Sequence, residues 1–227
     1  MQANRLKQVN WMLLACAAAC LVYYDMVGGL WLKGVTSSWF VLLGGLNLWA
    51  ARKQKGMHLR FFLLMEAGLI CGMCADVLLG VAFFAGVGVF ALGHILYFAA
   101  FCSLEKFYSG DLKIMAPLAL ISILLVTATP WISVEDPLLQ KLIPCYALII
   151  SMMLGKAIAN LIRDPSRFRW LLAIGSMLFW FSDLILAIDM FGQSSRLTWI
   201  LCSYSYWPAQ NILAHALFHA GQTPAKT

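Results

Sequence analysis

The chain has 227 residues, 62% of them hydrophobic and only 11% charged, with a net charge of +6. A soluble domain of this length is about half apolar and about a quarter charged, so the surplus apolar residues need lipid as their solvent. Nucleic acid is not the implied partner of the positive charge, because the basic residues gather on no folded basic face and sit in short gaps between apolar runs.

A spanning helix needs about 20 mostly apolar residues. Such runs occupy, in chain order, residues 9–27, 31–51, 60–80, 84–103, 114–133, 139–160, 169–190 and 197–218. The first follows Arg5 and Lys7 and contains small residues from Ala15 to Cys20. Too little apolar sequence precedes them for a cleavable signal peptide, and the run is long enough to span. Leu13-Leu14-Ala15-Cys16 is an imperfect lipobox for the same reason. The third and fourth runs are parted only by Gly80–Phe84, and Gly86 and Gly88 suit a tight connection there. No loop is long enough for a soluble domain, and the tail after His219 reads as disordered. The expected fold is all-α: one polytopic membrane helix bundle over residues 1–227, with eight transmembrane helices.

Charge sets the orientation. With eight spans, one side holds Arg5, Lys7, Arg52, Lys53, Lys55, Arg60, Lys106, Lys113, Arg163, Arg167, Arg169 and Lys226. The other side holds only Lys33, Lys141 and Arg196, with Lys156 inside a span. Positive loops stay cytoplasmic, which puts both termini in the cytoplasm. Trp11, Trp31, Trp131, Trp170 and Trp199 fall near helix ends, as an aromatic belt requires. A bacterial inner membrane is the expected location. The seven cysteines all lie in apolar runs at irregular spacing, so no disulfide framework is expected, and Cys71 and Cys74 read as packing residues.

An ionisable residue inside a span costs a few kcal/mol unless it faces the interior and finds a partner. The informative residues are therefore Lys33, Glu66, Asp76, His94, Tyr97, Asp183, Asp189, Tyr206, Gln210, Asn211 and His215. The third and seventh helices both run outward. Asp76 lies about 24 Å past Arg60 and Asp183 about 21 Å past Arg169, so both fall at similar depth in the outer half. Glu66, Lys156 and His215 are nearer the inner surface, where they can snorkel. Ala75-Asp76-Val77-Leu78-Leu79 is echoed by Ser182-Asp183-Leu184-Ile185-Leu186, each in the third helix of a four-helix half. A parallel repeat about the membrane normal brings the two aspartates face to face. Two such carboxylates can divide acid and base roles. The plainer alternative is that each hydrogen-bonds a neighbouring helix, which is also the expectation for Asn211. Pro208 is expected to kink the eighth helix.

Lys33, Asp76-Val77-Leu78-Leu79, Phe90…His94-Ile95-Leu96-Tyr97, Phe181-Ser182-Asp183…Leu186-Ala187…Asp189 and Tyr206…Ala209-Gln210 together resemble the YhhN family of eight-span membrane proteins, which includes lysoplasmalogenases. The chain departs from the family's pattern at Ala75, where glycine is usual. The resemblance implies hydrolysis of the vinyl-ether bond of a lysoplasmalogen, a lysophospholipid drawn from the membrane. The products are a fatty aldehyde and glycerophosphoethanolamine or glycerophosphocholine. It implies Asp76 and Asp183 as the acid/base pair. His94, Tyr97, Ser182, Tyr206 and Gln210 orient water or the carboxylates, Lys33 meets the substrate phosphate, and Asp189 is a supporting partner or an anchor for Lys33. Protonation of a vinyl ether at its β-carbon needs a proton donor, a negative charge and a water, but no metal and no redox cofactor. Two rivals fit the same residues, and a third, a lipid-binding or structural membrane protein, leaves the two aspartates without a purpose. One is a proton-coupled transporter using the acids as a relay. The other is a metal-dependent lipid hydrolase, for which the chain lacks a clustered histidine motif.

Overall fold

The computed structural model describes residues 3–52 and 58–222, so Lys53, Lys55 and Lys226 lie outside the described residues. The described residues form an all-helical bundle with no strand. Its helices are α1 (Ala3–Val27), α2 (Leu30–Ala51), α3 (Leu59–Val81), α4 (Phe83–Leu104), α5 (Leu112–Thr127), α6 (Pro137–Arg163), α7 (Arg167–Phe191) and α8 (Arg196–Ala220). Local chemistry marks several boundaries. Gly28 and Gly29 turn between α1 and α2 at φ 70° and 95°, which side-chain-bearing residues rarely adopt. Asp136 accepts the backbone N–H groups of Leu138 and Leu139 ahead of Pro137, the first residue of α6. Ser195 and Thr198 form a reciprocal cap on α8.

α1, α3, α4, α5 with its short N-terminal turn, α6 and α7 are long and apolar enough to cross a membrane. The protein is therefore a multi-pass membrane protein. α2 and α8 are of similar length and also carry polar residues. Their polar residues face inward: Thr36, Ser37 and Asn47 of α2 are buried, as are Ser203, Ser205, Gln210, Asn211 and His215 of α8.

Three expectations change. The fifth apolar run ends as helix at Thr127, not at 133. The Thr127 and Thr129 hydroxyls donate to the carbonyls of Ile123 and Leu125, and Pro130 disfavours helix at the residue before it. The following connector packs on the end of α7, where Ser133 N–H donates to the Phe191 carbonyl. The link between α3 and α4 is the single residue Ala82, and Gly86 and Gly88 lie inside α4. Gly86 still serves the turn, because a Cβ there would lie 2.6 Å from the Leu79 backbone nitrogen. Asn211 bonds within its own helix, to the Trp207 carbonyl one turn back, and not across helices.

Helix packing follows a repeated scheme. α1 packs on α2, α2 on α3 and α3 on α4, and the second half repeats this as α5 on α6, α6 on α7 and α7 on α8. The halves also exchange a contact, α2 with α8 and α6 with α4. Mapping α1–α4 onto α5–α8 carries each of these pairs onto another. The α3–α8 contact is matched by α4 with α7, which meet through His94–Asp183 and Phe90–Phe179, while the α1–α8 and α5–α7 contacts have no counterpart. The backbones of α3 and α7 do not approach one another closely, and α8 packs on both.

Lys156 does not snorkel. It is fully buried, with Nζ donating to Asp111 Oδ2 at 2.9 Å and to the Lys106 carbonyl at 2.8 Å. Arg163 pairs with the other Asp111 oxygen and lies 4.7 Å over the Tyr108 ring. One buried carboxylate thus ties the α4–α5 connection to α6 through two cations. Removing it strands a buried ammonium, at a cost of about 3–5 kcal/mol. Asp111→Asn is expected to lower unfolding free energy by that amount in reversible detergent unfolding. Asp111→Asn/Lys156→Met is expected to recover part of the loss, since it removes the stranded charge.

Candidate active site

Asp76 lies seventeen residues past the start of α3 at Leu59, and Asp183 sixteen past the start of α7 at Arg167. At 1.5 Å per residue both are about 25 Å along their helices. Each sits at the end of a set of donors brought by two neighbouring helices.

Around Asp76 those helices are α2 and α8. Asp76 is buried, and its Oδ2 accepts from Ser37 Oγ at 2.5 Å and from Tyr206 OH at 2.8 Å. Lys33 Nζ stands 3.8 Å from Oδ1. Lys33 and Ser37 are one turn apart on α2 and so share a face. Trp207 Nε1 donates to Ser37 Oγ at 3.1 Å and fixes that hydroxyl from the far side. Tyr206 and Gln210 share a face of α8 in the same way, and Tyr97 OH donates to Gln210 Oε1 at 2.7 Å. α3 makes room for these groups with small residues. A Cβ at Gly68 would meet the Tyr97 ring at 2.6 Å, and one at Gly72 would meet Gln210 Nε2 at 2.8 Å. Gly68, Gly72 and Asp76 recur at four-residue steps, so one stripe of α3 carries Tyr97, then Gln210 and Tyr206, then the carboxylate.

Around Asp183 the helices are α6 and α4. Its Oδ2 accepts from Tyr146 OH at 2.6 Å and lies 3.0 Å from His94 Nε2, and the same Nε2 is 2.9 Å from Tyr146 OH. His94 is fully buried, and its Nδ1 has no partner among the described residues. Which atom donates between His94 Nε2 and its two oxygen partners depends on the imidazole's tautomer. Ser182 Oγ donates to the Phe179 carbonyl at 2.7 Å and reaches Asp183 Oδ1 only at 3.4 Å, so it bonds chiefly to its own helix.

The two shells share no hydrogen-bond partner. They meet through aromatic rings: Phe179 lies 4.5 Å from the His94 ring and 5.4 Å from the Tyr206 ring, and Phe90 packs on both Phe179 and Tyr206. Cys202 on α8 lies within electrostatic range of Asp183, Lys33, Asp189 and Asp76, which places all four charges around one region. An apolar cleft bounded by α3, α4, α5, α6 and α7 has Asp183 in its wall. Phe83, Val126, Leu142, Leu186 and Met190 line it, and Asp183 and Tyr146 are among its few polar atoms. Asp76 does not line the cleft.

Asp189 stands apart from both shells. It accepts from Ser194 at 2.9 Å and from Thr198, so it organises the α7–α8 connection and does not anchor Lys33, whose carboxylate is Asp76. Among the described residues no group of three His, Cys, Asp or Glu side chains is arranged to hold a metal ion, and all seven cysteines are free. Three site residues were not singled out from sequence: Ser37, Tyr146 and Trp207. Tyr146 carried a usable signal, since a hydroxyl deep in an apolar run must find an internal partner. Ser37 carried a weaker one, as the residue one turn beyond Lys33.

The model of the YhhN family matches residues 38–217. That stretch contains both aspartates, His94, Tyr97, Tyr146, Tyr206 and Gln210, while Lys33 and Ser37 precede it. Curated proteins and solved structures give no significant match.

The glycine stripe supplies a test of this packing. Gly68→Ala forces a methyl against the buried Tyr97 ring and is expected to cost about 1–3 kcal/mol. Gly88→Ala, where a Cβ meets nothing within 4 Å, is expected to leave stability unchanged or slightly raised. Thermal unfolding in detergent of the two variants beside the parent checks both.

Proposed function

The chain belongs to the YhhN family of membrane proteins, and on that premise we propose that it hydrolyses the vinyl-ether bond of a lysoplasmalogen, releasing a fatty aldehyde and glycerophosphoethanolamine or glycerophosphocholine. In this reading all eight helices cross the bilayer with both termini cytoplasmic. α2 and α8 are tolerated there because their polar residues face the interior. The observation that carries the proposal is a mostly buried carboxylate, Asp183, bonded to a histidine and a tyrosine in the wall of an otherwise apolar cleft. Such a cleft suits an alkenyl chain entering sideways from the bilayer, with its reactive end against Asp183.

The chemistry follows from the donors. The Asp183–His94 unit delivers its shared proton to the β-carbon of the vinyl ether, and the α-carbon becomes an oxocarbenium ion. Water adds to that carbon and returns a proton to the same unit, so the acid is restored. The hemiacetal then passes its hydroxyl proton to the glycerol oxygen as the C–O bond breaks, and aldehyde and alcohol leave with one water consumed. Tyr146 holds the carboxylate and imidazole in register. Lys33, about one-fifth exposed and only loosely paired at 3.8 Å, turns to the substrate phosphate. Asp76, which does not line the cleft, is thereby left as an unpaired negative charge that stabilises the developing cation through space, while Tyr206, Gln210 and Tyr97 hold it in place.

The test is aldehyde release by purified protein in detergent. Asp183→Asn and Asp76→Asn, each checked for folding, are expected to fall at least about 100-fold. Near-parental turnover in either variant would falsify the two-carboxylate mechanism. Tyr146→Phe is expected to lose about tenfold in kcat with little change in KM, the signature of an interaction that matters at the transition state. Lys33→Gln is expected mainly to raise KM. Uptake of a solute by proteoliposomes with no aldehyde formed would favour the proton-coupled transporter instead.

A further inference from the structure

The end of the bundle opposite Lys33 and Asp76 carries a second pocket, formed where the N-termini of α1 and α7 meet the C-terminus of α8. Lys7, Trp11, Arg167, His215, His219 and Gln222 line it, with Asn4 and Phe218, and no carboxylate is among them. Arg167 lies within electrostatic range of both His215 and His219, and Lys7 within range of His219. Two permanent cations and two imidazoles therefore converge on one cavity. Neither Lys7 nor Arg167 has an ion pair among the described residues, whereas Arg163, Arg169 and Arg196 each have one.

The walls are held firmly. His215 is buried, its Nδ1 lies 3.2 Å from Asn10 Oδ1, and its ring stacks on Phe218. Asn10 is locked by a reciprocal amide pair with Asn47 of α2, at 3.0 and 2.9 Å. Trp11 lines the pocket and is 56% exposed, which suits a ring at a membrane interface. Unpaired like charges held this close repel one another, and an anion with several acceptor oxygens relieves them. Basic pockets between helices at the cytoplasmic surface are suited to phosphorylated head groups.

We propose that this pocket binds a phosphate group, presented by the head group of an anionic phospholipid or by a soluble phosphate ester, at a site separate from the carboxylate centre. Lys7 and Arg167 supply the charge, His219 and Gln222 supply further donors, and Trp11 flanks the glycerol side of a lipid. The proposal does not depend on the hydrolase reading, because it uses none of the residues of that site.

Binding is read on the full-length protein in detergent, by native mass spectrometry with phosphatidic acid or phosphatidylcholine and by calorimetry with glycerol 3-phosphate. Retention of phosphatidic acid over phosphatidylcholine supports a lipid head group as the source, and binding of glycerol 3-phosphate supports the soluble ester. Lys7→Gln/Arg167→Gln is expected to weaken whichever binds by about tenfold or more. Arg52→Gln/Lys113→Gln removes the same charge at the same end but outside the pocket, and is expected to leave binding intact. Arg167→Glu, which puts a carboxylate into the pocket, is expected to abolish it. Retention of neither probe overturns the proposal, and so does an equal loss in both double variants, which would reveal only general surface attraction.

Discussion

A carboxylate deep in a lipid-solvated bundle must be surrounded by donors, because no water is at hand to replace them. Much of this bundle is arranged to meet that demand twice. Asp76 draws Ser37 and Lys33 from α2 and Tyr206 from α8, and Asp183 draws Tyr146 from α6 and His94 from α4. The polar character of α2 and α8, the glycine stripe on α3 and the aromatic packing around Phe179 follow from the need to bring those groups within reach. Trp207 and Gln210 then support the donors themselves.

The two shells occupy equivalent places in the repeated packing scheme. Each aspartate is on the third helix of its half. Each is held by the second helix of that half and by the fourth helix of the other. The backbones of α3 and α7 stay apart, and the two shells meet through rings of α4, α7 and α8. Matching architecture carries different chemistry. One acid faces a lysine and two hydroxyl groups, and the other faces a tyrosine and an imidazole and borders the cleft. Such divergence suits two carboxylates with distinct tasks. It also explains why the sequence echo between the halves is confined to a few residues around each aspartate: the backbone arrangement repeats, and the partners do not.

The remaining buried polar groups hold the ends together. Lys156 and Arg163 converge on Asp111 and fasten the α4–α5 connection to α6. Asn10, Asn47 and His215 join α1, α2 and α8 at the same end of the bundle. At the opposite end Arg196 pairs with Asp25, and Tyr204 donates to the same carboxylate, clamping α8 to α1. These ties leave the interior of the bundle to the two carboxylate shells.

Composition and hydropathy alone determined that the chain is an all-helical membrane bundle. Helix bounds followed within a few residues, because apolar run length reports helix length directly. The exceptions were α1, which begins at Ala3 and not at residue 9, and α5, where two threonines and Pro130 end the helix while the sequence around them remains apolar. The two aspartates, His94, Tyr97, Tyr206 and Gln210 were legible as polar residues in the wrong solvent. Their pairing was not. Which donor meets which carboxylate depends on helix rotation and on which helices become neighbours, and neither leaves a trace in the spacing of one chain. Tertiary structure alone decided that Tyr146 belongs beside Asp183, that Lys33 faces Asp76 and not Asp189, and that Lys156 is buried against Asp111. A charge finds its partner by proximity in space, and in a bundle of eight helices that proximity is set by packing.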